Sequence, residues 1–339
     1  MCPRQTTRSF GPWAIPQKGP GSFNRSRNPA PVGEPRCEIS VTRAVGPAIY
    51  TIKSRGLHTG VVDVDEANES GSGELLPTGA PAWTDGNGAR AGPYIAFRHV
   101  SKAFGDKHVL DDVSFEVLTG ETVCILGRSG VGKSVALQHI LGFLKPDSGR
   151  IIVAYEDITN DSEDELARIR KKITMIFQNG ALFDSLTVGE NVAFPLRERH
   201  DLREEQILEI VSGLLEMVGV KEMAGQLPAE LSTGMKRSVA IARALASQPE
   251  CILYDEPTTM VDPLMGQLLG DLMKRLKSQL HLTSVVVTHD MRLAKKLADR
   301  VVFLHESKVL FFGSYGDMEK CQEPIVQEFL ELDAIDLGA

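Results

Sequence analysis

The chain of 339 residues contains no apolar run near the ~20 residues that a membrane-spanning helix requires. It also lacks a basic excess, because 45 Asp and Glu outnumber 37 Lys and Arg and give a net charge of −8. Proteins that bind nucleic acid usually present a basic face, so the charge gives no reason to propose that partner. A role at a membrane would therefore require docking on a separate integral-membrane partner.

Cysteine is scarce, and its spacing suits no metal site. The five cysteines are Cys2, Cys37, Cys124, Cys251 and Cys321. Cys124 and Cys251 lie in apolar, strand-like runs and are predicted to be small core residues. An odd number without a disulfide framework favours a reducing compartment.

Residues 1–93 lack any sustained hydrophobic periodicity and are rich in Pro, Gly, Ser and Asn. Residues 1–58 carry nine Lys or Arg and two acids, whereas 60–92 are acidic and glycine-rich. Neither stretch has enough apolar surface to offset chain entropy, which predicts a disordered extension or linker. One interpretation is a dispensable tail, or extra residues that result from a start codon placed too early. The other interpretation is an organelle transit peptide. The sequence of this stretch shows no amphipathic helix of the kind that transit peptides form, which favours the tail.

From residue 94 onward, strand-like and helical runs follow each other, which indicates an α/β fold. Strands are predicted at 94–97, 114–117, 121–126, 151–154, 173–177, 251–254, 284–288 and 300–304. The apolar run 309–312 predicts one more buried parallel strand. The clearest amphipathic helix is 203–218, with Gly219 as its C-terminal cap. The stretch 180–245 is predicted to be purely helical and inserted between strands.

A glycine-rich segment joins the predicted strand 121–126 to a predicted helix at 133–144. It reads Gly-Arg-Ser-Gly-Val-Gly-Lys-Ser and matches the G-x-x-x-x-G-K-[ST] phosphate loop in the strand–helix context that this motif needs. Backbone N–H groups of such a loop and the helix N-terminus attract phosphate. Lys133 is predicted to reach the β- and γ-phosphates of ATP, and Ser134 to ligate Mg²⁺. The predicted nucleotide-binding residues are Gly127, Arg128, Ser129, Gly130, Val131, Gly132, Lys133 and Ser134.

Two acids follow the apolar run 251–254 directly. A buried strand that ends in two carboxylates is costly without a cation or proton partner. In a doubly wound sheet, the carboxyl ends of the strands are also where ligands bind. Asp255 is therefore predicted to hold Mg²⁺, largely through water, and Glu256 to act as general base toward the attacking water.

Polar residues also close two other predicted strands. Gln178 follows 173–177, where its amide could contact Mg²⁺ and the attacking water. His289 follows 284–288, where it could reach the γ-phosphate. Each signal is weak alone, but both residues fall at the same inferred edge of the sheet, which supports a catalytic role for both.

The segment 231–235, Leu-Ser-Thr-Gly-Met, precedes a predicted helix at 236–246. Ser232 could cap that helix, or it could donate its hydroxyl to a phosphate. Helix N-termini attract anions, so both readings remain open from the residues alone.

Taken in order, these segments resemble the nucleotide-binding subunit of ATP-binding cassette (ABC) transporters over residues 94–332. The resemblance implies an ABC-type P-loop NTPase with a RecA-like core, an antiparallel β subdomain and an inserted helical subdomain at about 180–245. The ATPase domain would span 94–339, with a C-terminal tail from about 316. Its cofactors would be ATP and Mg²⁺.

The same resemblance implies that ATP is sandwiched between two copies of the cassette. Ser232 and Gly234 match the positions that contact γ-phosphate across the dimer. Phe104 matches the aromatic residue that stacks on adenine, and Asp262 matches the acid that links the two sites.

Finer details look most like the ATPases that serve MCE-linked phospholipid transport (the Mla type). They lie at 127–135, 177–188, 234–237 and 323–330, and include Met235 where most ABC proteins have Gln. This implies a membrane permease and an MCE-type lipid-binding protein as partners, at the cytoplasmic face of the inner membrane or the stromal side of the chloroplast inner envelope. An importer ATPase for amino acids or another small solute is the alternative. A soluble non-transport ABC protein is disfavoured because the chain has one cassette and no sustained heptads.

Five residues depart from the family pattern: Thr233, Ser238, Met260, Val261 and Ser307. Thr233, in place of glycine, is tolerable if its φ is negative. Ser238 and Met260 bear on contacts between cassettes. The catalytic residues are intact, so the sequence predicts an active ATPase.

Overall fold

The computed structural model describes residues 38–42, 49–53 and 92–335. Strands β1 (Glu38–Thr42) and β2 (Ile49–Lys53) pair antiparallel. Composition predicts disorder here, and these strands differ from that expectation, since both are dense in β-branched and aromatic residues that favour strands. The remainder of 1–91 lies outside the described residues, so the boundary near residue 93 stays a prediction. None of the described helices is both long and apolar enough to span a bilayer.

From residue 92 onward, strands and helices follow each other as the periodicity predicts. The strands are β3 (Ile95–Phe104), β4 (Lys107–Val117), β5 (Thr122–Leu126), β6 (Ser148–Val153), β7 (Glu156–Asp157), β8 (Ile173–Ile176), β9 (Cys251–Asp255), β10 (Thr283–Val287), β11 (Arg300–His305) and β12 (Lys308–Gly313). The helices are α1 (Lys133–Ile140), α2 (Glu163–Arg170), α3 (Val188–Glu198), α4 (Glu204–Met217), α5 (Thr233–Ala246), α6 (Pro263–Leu280), α7 (Met291–Leu297), α8 (Tyr315–Glu319) and α9 (Pro324–Ile335).

The central sheet has the strand order β12-β11-β5-β10-β9-β8, and every neighbouring pair from β11 to β8 is parallel. Strands β5 and β10 are buried along their whole length. In β5, Cys124 and Leu126 face one hydrophobic cluster, whereas Val123 and Ile125 face the other. This burial on both faces is typical of parallel sheets covered by helices, and it places the carboxyl ends of β5, β8, β9 and β10 along one edge.

A second sheet, of order β4-β3-β6-β7, is antiparallel. Phe97 on β3 stacks on Phe115 of β4 with ring centroids 4.5 Å apart. Both rings share a hydrophobic cluster with Leu137 and Ile140 of α1 and with β5. The antiparallel sheet therefore packs on the helix that follows the phosphate loop and fixes the position of that loop.

Residues 177–250 form the helical insertion between β8 and β9, and no strand interrupts them. Helix α4 begins at Glu204 and ends at Met217, one residue inside the predicted bounds at each end. Gly219 follows with a φ of 77°, as expected for a left-handed residue after a helix C-terminus. Helices α3, α4 and α5 share one core cluster with the central sheet.

The prediction of a buried parallel strand at 309–312 is wrong. Strand β12 pairs antiparallel with β11 at the edge of the sheet, and its residues are exposed or half-buried. The two strands are joined by Glu306 and Ser307, whose φ angles are 44° and 68°. Two successive residues with positive φ form the tight hairpin turn that antiparallel strands need. The sequence carries no Asn-Gly or Asp-Gly signal for that turn. The apolar character of 309–312 alone therefore predicted a buried parallel strand.

Candidate active site

The phosphate loop joins β5 to α1, as the motif predicts. Its glycines Gly127 and Gly132 have φ angles of 149° and 105°. A Cβ atom would lie 2.4 Å from the Leu304 carbonyl oxygen at Gly127 and 2.6 Å from the Val109 carbonyl oxygen at Gly132. Neighbouring backbone thus leaves room for glycine alone at both positions.

Lys133 is buried, with 6% of its side chain exposed. Its ammonium group donates hydrogen bonds to the carbonyl oxygens of Gly127, at 2.8 Å, and Arg128, at 3.2 Å. The same nitrogen lies 3.4 Å from Oε1 of Glu256. A buried charge needs such partners, and these contacts hold the ammonium group between the loop and the carboxylate.

Asp255 ends β9 beside the start of α1. The Ser134 hydroxyl donates to Asp255 Oδ1 at 3.1 Å. Burial, together with the charge of Glu256, raises the pKa of Asp255, and the hydrogen bond from Ser134 opposes this. A cation at this point would favour the ionised carboxylate. Gln178 lines the same cleft, so a hydroxyl, a carboxylate and an amide are within one site, and these are oxygen donors of the kind that Mg²⁺ prefers.

Glu256 lies beyond the end of β9 with a φ of 48°, a left-handed conformation that is uncommon for a residue with a side chain. Its amide donates to the carbonyl oxygen of Val287 on β10 at 2.9 Å. His289 Nδ1 lies 2.8 Å from Oε2 of Glu256, and the Thr259 hydroxyl donates to the same oxygen at 3.2 Å. Adjacent parallel strands thereby bring Glu256 and His289 together.

These groups surround one cleft of about 460 Å³. The predicted site residues that line it are Phe104, Ser129, Gly130, Gly132, Lys133, Ser134, Gln178, Asp255, Glu256 and His289. Lys107, Val109, Val135 and Thr259 also line it and were not predicted. Thr259 has one sequence signal, its position three residues after Glu256. Lys107 and Val109 have none, because they lie on β4, in a sheet that comes to the cleft by packing on α1.

Six predicted residues do not line this cleft. They are Gly127, Arg128, Val131, Ser232, Gly234 and Asp262. The Arg128 guanidinium instead donates to Glu328 Oε1 on α9 at 2.6 Å. The Ser232 hydroxyl accepts a hydrogen bond from the amide of Met235 at 3.3 Å, so Ser232 caps α5. Asp262 caps α6 in the same way, accepting from the amide of Met265 at 3.0 Å.

The departures from the family pattern have distinct local settings. Thr233 lies in the first turn of α5, and its φ is not positive. This is the condition under which a residue with a side chain can replace glycine. Met260 has a φ of 61°, and 87% of its surface is exposed. Its side chain therefore gains little burial to offset a strained backbone.

Met260→Gly should stabilise the cassette by about 1 kcal/mol, because glycine adopts the left-handed conformation without steric cost. The midpoint of urea-induced unfolding measures this change. Met260→Ala is the matched control, since it also removes the long side chain but keeps the Cβ atom and the strain. An equal gain for Ala would contradict the proposed origin of the effect.

Comparisons with known proteins agree with this architecture. The family model described as ABC transporter matches residues 110–259. The intermembrane phospholipid transport system ATP-binding protein MlaF of Haemophilus influenzae is 40% identical, over 70% of this chain and 90% of its own length. Protein TRIGALACTOSYLDIACYLGLYCEROL 3, chloroplastic, of Arabidopsis thaliana is 39% identical, over 69% of this chain and 72% of its own.

A solved structure, the dimeric post-hydrolysis state of the ATP-binding cassette MJ0796 bound to ADP and Pi, is 33% identical. It superimposes with a TM-score of 0.60 and covers 65% of this chain and 98% of its own. The family match includes the phosphate loop, Gln178 and the Asp255–Glu256 pair. The chain belongs to the ATP-binding subunits of ABC transporters.

Proposed function

We propose that this ATPase subunit drives phospholipid transport, working as a pair of cassettes with an integral-membrane permease and an MCE-type lipid-binding protein. The observation that carries the ATPase chemistry is the cleft in which Glu256, His289, Lys133 and the Ser134–Asp255 pair meet. The lipid assignment is supported by the resemblance to MlaF, which is named for intermembrane phospholipid transport.

Hydrolysis in this scheme rests on positioning and charge stabilisation, as in other phosphoryl transfers. The Lys133 ammonium group exchanges its carbonyl partners for the β- and γ-phosphates. Glu256 accepts a proton from the attacking water as the water oxygen bonds to the γ-phosphorus and the bond from that phosphorus to the ADP oxygen breaks. His289 stays bonded to Glu256 through Nδ1 and contacts the γ-phosphate through its other nitrogen. Phe104, half-exposed at the mouth of the cleft, stacks on the adenine.

Mg²⁺ would be held by Ser134, Asp255 and Gln178, and it would neutralise phosphate charge when bound. The hydrogen bond between the Ser134 hydroxyl and Asp255 Oδ1 supports this assignment, because it already brings two of the three oxygen donors together. Gln178 follows β8, so its position in the cleft depends on the same sheet edge.

Two cassettes close around two ATP molecules in this proposal. Ser232 and Gly234 of each copy contact the γ-phosphate bound to the other, and Asp262 links the two sites. Ser232 and Gly234 lie at the N-terminus of α5, where backbone N–H groups attract anions. The γ-phosphate supplies contacts that exist only in the closed state, so its loss on hydrolysis favours opening.

A groove between the helical insertion and the edge of the central sheet is the proposed docking site for the permease. It measures about 480 Å³ and is lined by parts of β8, α3 and α5. Four phenylalanines in it are 40–55% exposed: Phe143, Phe177, Phe183 and Phe194. An exposed apolar patch of this kind marks an interaction surface. Gly180 and Ala181 line the groove and follow Gln178 by two and three residues. Movement of the permease would therefore be transmitted to Gln178 in the cleft.

Phe194→Asp should weaken binding of the permease at least about tenfold, because it places a negative charge among the phenylalanines that line the groove. Co-purification of the membrane partner measures this. Leu208→Asp on α4 is the matched control, since Leu208 is 56% exposed and does not line the groove. Equal loss for both variants would contradict docking at this groove.

We place the complex at the cytoplasmic face of an inner membrane, or at the stromal side of the chloroplast inner envelope. The second location is supported by the resemblance to a chloroplastic relative. Purification of the native complex, followed by identification of its membrane partner and bound lipid, tests the lipid assignment. Recovery of an amino acid or another small solute in place of lipid would favour the alternative importer.

A further inference from the structure

Thr259 lines the cleft, and the proposed mechanism gives its hydroxyl no role. It lies in a turn after β9, closed by a backbone hydrogen bond from the Thr259 amide to the Glu256 carbonyl oxygen at 3.2 Å. That turn directs the threonine hydroxyl back to the carboxylate of Glu256, where it donates to Oε2 at 3.2 Å.

The two oxygens of the Glu256 carboxylate have different partners. Oε2 has two donors, His289 Nδ1 at 2.8 Å and the Thr259 hydroxyl. Oε1 lies 3.4 Å from the Lys133 ammonium nitrogen. A carboxylate oxygen that accepts two hydrogen bonds has little capacity left to take a proton from water. When Lys133 turns to phosphate, Oε1 is the oxygen that becomes available.

We propose that Thr259 is a positioning residue that, with His289, locks Oε2 of Glu256 and so presents Oε1 to the attacking water. The inference rests on the proposed role of Glu256 as general base. Two fixed points on Oε2 restrain rotation of the carboxylate about its last bond, which a single donor does not. The restraint holds the base in one orientation toward the water, and such fixed geometry is a large part of catalysis.

The neighbouring threonine offers a contrast within the same turn. The Thr258 hydroxyl donates to Oδ2 of Asp290, at 3.0 Å, and not to the Glu256 carboxylate. Thr258 and Thr259 therefore have the same side chain and adjacent positions but different partners. Removing the hydroxyl from each threonine in turn therefore separates its effect on the Glu256 carboxylate from its effect on the stability of the turn.

The experiment compares Thr259→Val, Thr259→Ser and Thr258→Val in the full chain, with steady-state ATP hydrolysis and equilibrium ATP binding. Thr259→Val should lower kcat about tenfold and change KM and the dissociation constant for ATP less than about twofold, because the hydroxyl acts on the base and not on the nucleotide. Thr259→Ser should restore kcat to within about twofold of the wild type, since it keeps the donor. Thr258→Val should hydrolyse ATP at close to the wild-type rate.

Three results would overturn the inference. The first is an unchanged kcat in Thr259→Val, and the second is a Thr259→Ser variant no faster than Thr259→Val. The third is loss of ATP binding together with kcat in Thr259→Val, because the hydroxyl would then support the cleft as a whole. Failure of the proposed function would be seen separately from failure of this inference. It would appear as substantial ATP hydrolysis by Glu256→Gln, independent of the results for the Thr259 variants.

Discussion

Glu256→Gln should lower the rate of ATP hydrolysis by about 10²- to 10⁴-fold, the usual contribution of a general base. The amide keeps the shape of the side chain but cannot take a proton from water. ATP binding should be nearly unchanged, because Lys133 and the phosphate loop are intact. The slowed cassette should accumulate as an ATP-bound dimer.

Single-turnover hydrolysis, equilibrium ATP binding and size-exclusion chromatography with ATP measure these three effects. Glu198→Gln, an exposed residue near the end of α3, is the matched control for loss of one carboxylate. A Glu256→Gln variant that hydrolyses ATP at the wild-type rate would remove Glu256 from its assigned role. A Glu256→Gln variant that binds ATP but stays monomeric, both in solution and in its membrane assembly, would contradict the paired-cassette mechanism.

Mixing two inactive variants, Lys133→Ala and Ser232→Asp, should restore ATP hydrolysis. Lys133→Ala removes the phosphate ligand of its own cleft but leaves its Ser232 intact. Ser232→Asp retains a good helix cap and places a negative charge against the triphosphate of the other copy. If sites form between copies, each mixed dimer has one site with both groups intact and one with neither.

Random mixing of equal amounts should give up to about a quarter of the wild-type rate, since half the dimers are mixed and each has one intact site. Each variant alone, at the same total concentration, is the control. If Lys133 and Ser232 acted within one chain, every site in the mixture would carry a lesion and no activity would return. That outcome would refute the exchange of Ser232 between cassettes.

Much of the site follows from the sequence because its parts are short and local. The phosphate loop needs only glycines between a strand and a helix. Asp255 and Glu256 end one parallel strand, and Gln178 and His289 follow two others. Parallel strands place their carboxyl ends at a common edge, so the order of segments along the chain is sufficient to group these residues.

Other features depend on packing between distant segments. Arg128 belongs to the loop motif, but its guanidinium group pairs with Glu328, 200 residues away. Lys107 and Val109 reach the cleft only because the antiparallel sheet packs on α1. No local pattern encodes such contacts, since they arise from which hydrophobic surfaces are buried against each other.

By itself, the sequence determined the fold class, the family and most of the residues that line the cleft, because glycine requirements and strand ends are local constraints. Only the tertiary structure decided that β12 runs antiparallel and that Thr259 shares Oε2 of Glu256 with His289. Both outcomes depend on left-handed backbone conformations at non-glycine residues, Glu306 and Ser307 in one case and Glu256 in the other. Residues with a side chain prefer a negative φ, and here surrounding contacts hold them at a positive φ instead. Sequence patterns that reflect local conformational preference therefore do not predict these conformations.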